Sequence, residues 1–351
     1  MTRAIRIAPL RLATLLAWAL VSGCNPEPQP ASARTTNPDS SKAVDQSPDA
    51  LPDRPAAERP VMQPGEFTDL VPPTRQPQSI DVISYAVAGG PTIDGVADDA
   101  VWSSAPAVIT LDWASQRDIH ISSVHTDSEI FFLVTFPDAA PSITHKSWLW
   151  DPDESIYRKG NDREDMLVLK WSTSGNDANL SLFNNPHPHT ADIWFWKACR
   201  TNPVGYADDK HQILGLENAE EAREIPTGGD DPLYLQRNGD AGRSAYTDRL
   251  QYEYAGDCVP MFENRAPEGS RADVRAKGRW DAGRWTIEFA RALDTGHDDD
   301  IAFSVRGRYL FGVACYEMSF DKPNPQWLQP LYRCGDVFDR LYLEIRPDTG
   351  P

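Results

Sequence analysis

The segment Ala191–Ala198, which reads ADIWFWKA, alternates in a way that constrains the fold more than any other part of the chain. Side chains of a strand point alternately to its two faces. The predicted faces are Ile193, Phe195 and Lys197 on one side, and Trp194, Trp196 and Ala198 on the other. A lysine in line with an apolar face is costly to bury unless it is neutralised or paired. Lys197 therefore either reaches along the aromatic rings to water or, as a neutral amine, is a ligand.

Other short segments also alternate or are rich in strand-forming residues, with turn residues between them. The predicted strands are Asp81–Ala88, Ala107–Trp113, Ile119–His125, Glu129–Phe136, Asp165–Ser172, Ala272–Trp280, Arg284–Arg291, Ile301–Ser304, Tyr309–Glu317 and Leu341–Ile345. Short helices are predicted at Val96–Ser103 and Glu217–Glu224, and a surface loop at Lys210–Ala245. Many short strands with few helices predict an all-β fold, namely a β-sandwich with long loops.

The N-terminus has the pattern of an export signal. Three arginines precede the apolar run Leu12–Val21, and Val21-Ser22-Gly23-Cys24 follows. These four residues resemble the lipobox of bacterial lipoproteins, which implies cleavage after residue 23 and lipidation of Cys24; the alternative is an ordinary signal peptide with a chance cysteine. We expect an exported protein, held by lipid at the periplasmic or outer surface. Asn25 favours the outer membrane, because it does not resemble the aspartate that retains lipoproteins at the inner membrane.

Residues 24–78 are predicted to form a disordered tether. This segment is rich in proline, serine and aspartate and has few large apolar side chains, so it cannot offset the entropy of ordering its backbone. The folded domain is therefore predicted to be 79–351. The formal net charge of −18 argues against nucleic acid as a partner.

Four cysteines follow Cys24, and an even number in an exported chain favours two disulfides. Three pairings are possible, of which Cys199–Cys258 with Cys315–Cys334 is preferred. The chain has no CxxCH motif, so haem is not expected to be attached covalently.

Motifs of hydrolases, nucleotide-binding proteins and zinc proteases are absent from the sequence. Acidic runs such as Asp208-Asp209, Asp230-Asp231 and Asp298–Asp300 are interpreted as solvated loops. The remaining constellation is His145, Met166 and Lys197, three potential ligands for haem iron near aromatic strands. Taken singly, Met166 also fits core packing and His145 an ordinary loop residue.

Several motifs together resemble one family. They are Ile93-Asp94-Gly95, Ala100-Val101-Trp102, His145, Trp148, Trp150-Asp151, Asp162–Met166, Trp194–Ala198, Arg200-Thr201, Pro203 and Gly205–Asp209. The chain from about Ser79 to Ile345 resembles the haem-binding domain of the ethylbenzene dehydrogenase gamma subunit, which is shared with dimethyl sulfide dehydrogenase-type cytochromes.

The resemblance implies an immunoglobulin-like or DOMON-like β-sandwich that holds one non-covalent haem b. It implies that Lys197 is one axial ligand, that Met166 or His145 is the other, and that Trp194 and Trp196 lie beside the haem. The expected role is electron transfer with a redox partner protein rather than catalysis. The alternative is a carbohydrate- or ligand-binding module on the cell surface that uses Trp148 and Trp150 as stacking platforms.

Overall fold

The computed structural model describes residues 75–112, 117–182, 185, 187–220, 222–225, 232–316 and 337–348. The predicted signal peptide, the lipidation site Cys24 and nearly all of the tether lie outside these residues. Within them, the first strand begins at Ser79. No helix in this part of the chain is long and apolar enough to cross a membrane.

The described residues form strands joined by turns and three short 3₁₀ helices. In chain order the strands are β1 (Ser79–Ala86), β2 (Val108–Asp112), β3 (Arg117–His125), β4 (Glu129–Pro137), β5 (Trp148–Asp151), β6 (Ile156–Lys159), β7 (Met166–Ser172), β8 (His189–Lys197), β9 (Asp208–Gly215), β10 (Arg223–Ile225), β11 (Leu233–Gly239), β12 (Gly242–Arg243), β13 (Tyr246–Asp248), β14 (Cys258–Val259), β15 (Phe262–Asn264), β16 (Glu268–Gly269), β17 (Arg275–Asp281), β18 (Arg284–Ala292), β19 (Arg308–Tyr316) and β20 (Arg340–Ile345). The 3₁₀ helices are Ala100–Ser104, Asn202–Val204 and Ser270–Ala272.

Thirteen of the described strands form one sheet in the order β10-β11-β9-β8-β7-β19-β20-β1-β3-β4-β18-β17, with β2 paired to β3. Strand β1 runs parallel to both β20 and β3. The sheet folds back on itself, because Trp171 of β7 and Trp194 of β8 lie with ring centroids 5.3 and 5.8 Å from Phe132 of β4. This packing confirms the predicted all-β sandwich.

Strand β8 has the two faces that its alternation predicts. Trp194, Trp196 and Ala198 are buried in the main core between the two layers. Ile193 lies on the outer face, in a smaller apolar cluster with Met166 and Val168. Complete burial of a tryptophan contributes at most about 6 kcal/mol of transfer free energy, so these side chains fix β8 firmly in the sandwich.

The Ile93-Asp94-Gly95 motif is held by one buried carboxylate. Glu288 of β18 accepts the backbone N–H of Asp94 at 3.1 Å and that of Gly95 at 2.8 Å. Its other oxygen accepts the Trp102 indole N–H at 2.9 Å. The predicted helix at Val96–Ser103 is shorter than expected, a 3₁₀ helix over Ala100–Ser104, and its Trp102 is buried.

The predicted surface loop at Lys210–Ala245 is wrong. Strand β9 pairs with β8 over most of its length, and β11 pairs with β9. The predicted helix at Glu217–Glu224 is wrong as well, because Arg223–Ile225 forms β10. A small apolar cluster stabilises this extension of the sheet. Its buried members are Leu182, Leu214, Ile225, Leu233 and Leu235.

The predicted strand at Ile301–Ser304 is not formed either. This segment packs in the core without pairing, and Phe303 lies edge-on to Trp171 with ring centroids 5.0 Å apart. An apolar run so short does not distinguish a paired strand from an irregular core segment.

The predicted Cys199–Cys258 disulfide is not formed, since Cys199 is a free thiol. Cys199 follows β8, whereas Cys258 belongs to β14, which pairs with β5 in a separate small sheet. Cys334 lies outside the described residues, so the Cys315–Cys334 pairing stays a prediction.

Candidate functional site

Lys197 is the last residue of β8 and is 2% exposed. Its ammonium forms an ion pair with Asp208 of β9 and lies 3.1 Å from the Tyr246 hydroxyl. It also lies 4.7 Å from the ring centroid of Phe195 and 4.9 Å from that of Tyr246. One interpretation of the sequence was that Lys197 reaches water. The structure shows that it does not, because its side chain is buried.

Burial lowers the pKa of Lys197 to about 8. The negative charge of Asp208 raises this pKa, and the positive charge of Arg200 lowers it further, but burial has the largest effect. Asp208 has counter-ions besides Lys197, because Arg271 and Lys210 also form ion pairs with it, Lys210 at 3.5 Å. Although burial opposes it, the charges of Lys197, Lys210 and Arg271 hold the pKa of Asp208 well below its usual range. Loss of the proton from Lys197 would leave Asp208 still paired.

A second buried carboxylate, Glu164, organises the neighbouring part of the site. It forms an ion pair with Arg200 and accepts the backbone N–H groups of Cys199 at 2.6 Å and Arg200 at 3.0 Å. The Arg200 guanidinium lies 5.1 Å from the ring centroid of Tyr246 and 5.2 Å from that of Phe262. Arg200 thereby connects the surroundings of Lys197 with those of Glu164.

His145 completes this cluster from the loop before β5. It is 6% exposed, its Nδ1 lies 3.4 Å from Glu164 Oε1, and its ring lies 5.6 Å from that of Phe262. Burial, followed by the charges of Arg200 and other cations including Lys197, lowers the pKa of His145 to about 2. The imidazole is therefore neutral and retains a lone pair for a metal.

Met166 lies directly opposite Lys197 in the β7–β8 register. It is 3% exposed, and the Arg200 guanidinium contacts its sulfur at 3.7 Å. The structure thus brings together the three candidate ligands that the sequence indicated. We call this group, with Asp208, Tyr246, Glu164, Arg200 and Phe262, the Lys197 cluster.

Trp194 and Trp196 do not belong to the Lys197 cluster, and their expected position beside the haem stays a prediction. Both are in the main core, on the face of β8 opposite Lys197. Trp196 packs edge-on against Trp285 at 4.9 Å, and its indole N–H donates to Asn202 at 3.0 Å. The period of two along a strand separates them from Lys197, and the aromatic rings that do adjoin it are Phe195 and Tyr246.

Three residues beside Lys197 and Arg200 carry no sequence pattern that predicts a place in the site: Tyr246, Phe262 and Arg271. Tyr246 and Phe262 belong to β13 and β15, which pair with each other as a two-stranded ribbon. No local pattern signals this contact, since these residues are distant from Lys197 along the chain. Glu164 and Asp208 did carry a signal, because both lie within the motif segments named above.

The fold and the cluster together define an all-β sandwich protein with a buried set of amine, imidazole and thioether donors on the outer face of one layer. Residues 99–322 match the family model described as ethylbenzene dehydrogenase, which is more than half of the chain. The chain belongs to this family. None of the curated proteins compared with it matches.

Solved structures of carbohydrate-binding proteins show a distant likeness. A family 9 carbohydrate-binding module from Caldicellulosiruptor kristjanssonii in complex with glucose is 14% identical; the match covers 77% of this chain and 96% of that one, with a TM-score of 0.33. The same kind of module with cellotriose is 12% identical over the same shares, with a TM-score of 0.32. A putative carbohydrate-binding protein from Bacteroides uniformis is 9% identical over 77% of this chain and 100% of that one, with a TM-score of 0.33.

Proposed function

We propose that this chain is an exported, lipid-anchored protein that binds one haem b in the Lys197 cluster and transfers electrons to or from a redox partner protein. The observation that carries the proposal is the buried amine of Lys197, whose pKa is about 8, in one cluster with a neutral imidazole and a thioether. These are donors that haem iron accepts, and family membership supports the same cofactor.

The donor chemistry of the cluster fits haem. An amine must lose its proton before it can bind iron, and with a pKa of about 8 this step costs only about 1.4 kcal/mol at pH 7. The charge balance tolerates the loss, because Arg271 and Lys210 remain paired with Asp208. Lys197 is thus prepared to act as a neutral ligand.

His145 is the better candidate for the second axial ligand. Met166 and Lys197 leave the same sheet face as directly opposed residues, whose Cβ atoms lie about 5 Å apart. Together they would offer donors to haem from one sheet face only. His145 comes from a different element. Its Nδ1 lies 3.4 Å from Glu164 Oε1 and 3.5 Å from the Glu164 backbone nitrogen, and the tautomer that donates from Nδ1 to the carboxylate would leave Nε2 free for iron.

The charges of the cluster suit an anionic cofactor. Its ion pairs join four cationic side chains to two carboxylates: Lys197, Lys210, Arg200 and Arg271 with Asp208 and Glu164. With Lys197 neutral as an iron ligand, one positive charge remains in excess, in a chain whose net charge is −18. Haem carries two propionate groups, which Arg200, Arg271 and Lys210 would hold by charge-assisted hydrogen bonds.

A bound haem supplies a one-electron redox centre whose potential depends on its ligands, its burial and the nearby charges. With protein ligands on both sides of the iron, the chain leaves no position for oxygen or substrate, which favours electron transfer. Lipidation of Cys24 would hold the domain at a membrane surface, with residues 24–78 as a tether that allows contact with the partner.

Visible spectra of the full chain, oxidised and reduced, test this proposal. Wild type should show a low-spin b-type spectrum after purification or after addition of haem. Lys197→Ala and His145→Ala should each change the Soret and α bands, whereas Met166→Leu should leave them in place. Lys159→Ala removes an exposed lysine and is the matched control. A wild-type chain that shows no Soret band with added haem would refute the proposal.

An exposed aromatic group supports carbohydrate binding as a second candidate function. Trp150 lies edge-on between Tyr157 at 5.0 Å and Tyr254 at 5.1 Å. Tyr254 is 59% exposed and Tyr252 is 79% exposed, so aromatic faces are available for stacking on sugar rings. Binding of the haem-free chain to a glycan array, lost in Tyr254→Ala, would support this function, and absence of binding would exclude Trp150 as a stacking platform.

A further inference from the structure

A second group of carboxylates lies on the inner side of the sandwich, away from the Lys197 cluster. Asp192 of β8 and Asp209 of β9 are both 0% exposed, and the side chain of Asp300 is 1% exposed. One carboxylate oxygen from each lies within 4.8 Å of the other two. We propose that these three residues bind one divalent cation, with calcium as the best-fitting ion.

The hydrogen bonds of these carboxylates leave one set of oxygens without donors. Asp192 Oδ2 accepts from Arg291 at 2.7 Å and from the backbone N–H of Ile301 at 3.2 Å. Asp300 Oδ2 accepts from the Thr295 hydroxyl at 2.6 Å. In the described part of the chain, Asp192 Oδ1, Asp300 Oδ1 and both oxygens of Asp209 have no hydrogen-bond donor.

Asp209 is the strongest indication of a ligand. Both of its carboxylate oxygens are buried and unpartnered within the described residues, which costs more than almost any other arrangement of a polar side chain. A shared cation would satisfy both oxygens together with those of Asp192 and Asp300.

The charges leave room for one divalent ion. Arg291 supplies one positive charge; it is paired with Asp192, lies 3.8 Å from Asp300 Oδ1, and donates to the Ile301 carbonyl. Its guanidinium is fixed between the rings of Trp194 at 5.0 Å and Phe303 at 4.9 Å. Three carboxylates and one guanidinium leave two negative charges in a water-poor interior, which one divalent cation would neutralise.

The ligand set points to a hard cation. All three donors are carboxylates, and carboxylate oxygens favour calcium, magnesium and manganese over softer metals. Ligand atoms on one calcium ion lie up to about 5 Å apart, because each Ca–O bond measures about 2.3–2.6 Å. Oxygens within 4.8 Å of one another fit the coordination shell of calcium, whereas magnesium demands a more regular octahedral shell and gives up its waters reluctantly.

The neighbouring His211 and Asp240 are not needed for this site. His211 Nδ1 lies 2.6 Å from Asp240 Oδ1, so this oxygen is already paired, and only Asp240 Oδ2 has no hydrogen-bond partner within the described residues. The cation would instead link β8 and β9 of one layer to the segment after β18 in the other. Its role would therefore be to stabilise the sandwich, independently of haem.

Protons are the competing explanation, since burial raises the pKa of Asp192 and of Asp300 to about 6 and that of Asp209 well above its usual range. Asp209→Asn separates the two explanations. An asparagine resembles a protonated aspartate and can donate to the neighbouring oxygens, but it is a weaker ligand for calcium because it carries no negative charge. Asp298→Asn, which changes an exposed neighbour outside the group, is the matched control.

The full chain should be treated with EDTA, dialysed, and titrated with calcium chloride and magnesium chloride by calorimetry, with thermal unfolding measured in parallel. Wild type and Asp298→Asn should bind one calcium per chain, more tightly than magnesium, and calcium should raise Tm. Asp209→Asn should bind calcium at least about 10-fold more weakly, while its metal-free Tm is no lower than that of wild type. Absence of calcium binding to wild type, or equal binding by Asp209→Asn, would overturn the proposal.

Discussion

The lowered pKa of Lys197 makes the stability of the haem-free chain depend on pH in a way that one substitution should remove. Lys197→Met keeps the length of the side chain and removes its charge. The ordinary pKa of lysine is 10.5, and in the folded chain that of Lys197 is about 8. Between these values the unfolded chain binds a proton at this position that the folded chain has released. The free energy of unfolding therefore rises with pH across this window.

The expected size follows from the two pKa values. Between pH 7 and pH 10 the amine should add about 2.5 kcal/mol to the free energy of unfolding of wild type, out of about 3.4 kcal/mol for the whole window. Lys197→Met lacks this contribution. Asp208 does not disturb the comparison, because its pKa is far below this range and it keeps Arg271 and Lys210 as partners.

Urea unfolding followed by tryptophan fluorescence at several pH values measures this difference, since Trp171, Trp194 and Trp196 are fully buried and report on the core. The free energy of unfolding of wild type minus that of Lys197→Met should increase by about 2.5 kcal/mol from pH 7 to pH 10. The free energy of unfolding of wild type minus that of Lys159→Met, a change at an exposed position, should not vary with pH. Parallel profiles for wild type and Lys197→Met would refute the description of Lys197 as a buried, easily neutralised amine.

Two further substitutions test the packing that positions the site. Gly278→Ala should destabilise the chain by about 1–3 kcal/mol, because its Cβ would lie 2.5 Å from Trp196; Gly215→Ala, whose nearest neighbour would be at 3.7 Å, should change the urea midpoint little. Glu288→Ala should cost at least about 2 kcal/mol in urea unfolding, because it leaves the indole N–H of Trp102 and the backbone N–H of Gly95 without an acceptor, whereas the backbone N–H of Asp94 keeps the Thr92 carbonyl at 3.2 Å. Glu288→Gln keeps one acceptor oxygen, and a loss as large as that of Glu288→Ala would contradict this explanation.

The sequence was sufficient to predict the strands whose side chains pack in apolar clusters. In β8 the tryptophans alternate with Ile193, Phe195 and Lys197, and the structure has the two faces in that order. Strand β7, with Met166 as its first residue, was predicted within one residue of its observed beginning. Hydrophobic alternation succeeds here because one face of each strand is packed in a large apolar core.

Hydrophobic alternation did not predict strand β9, whose first five residues are Asp-Asp-Lys-His-Gln. Both faces of this part of the strand are polar, so there is no alternation of hydropathy, and the segment resembles a solvated loop. Asp208 and Asp209 are nevertheless 1% and 0% exposed. The interpretation of this acidic pair as solvated is wrong, because each carboxylate is buried among specific charged neighbours that lie on other strands or farther along the chain.

Asp208 and Asp209 also show how two separate charge clusters depend on one strand register. Asp208 pairs with Phe195 in the register and reaches Lys197 on the outer face, whereas Asp209 pairs with Trp194 and reaches Asp192 on the inner face. A slip of one residue would exchange the two faces. It would remove the counter-ion from Lys197 and the unpartnered carboxylate from the inner group at the same time. Since the first half of β9 has no apolar side chain to bury, these two charge clusters specify the register there, and the burial of Leu214 in the second half specifies the same register.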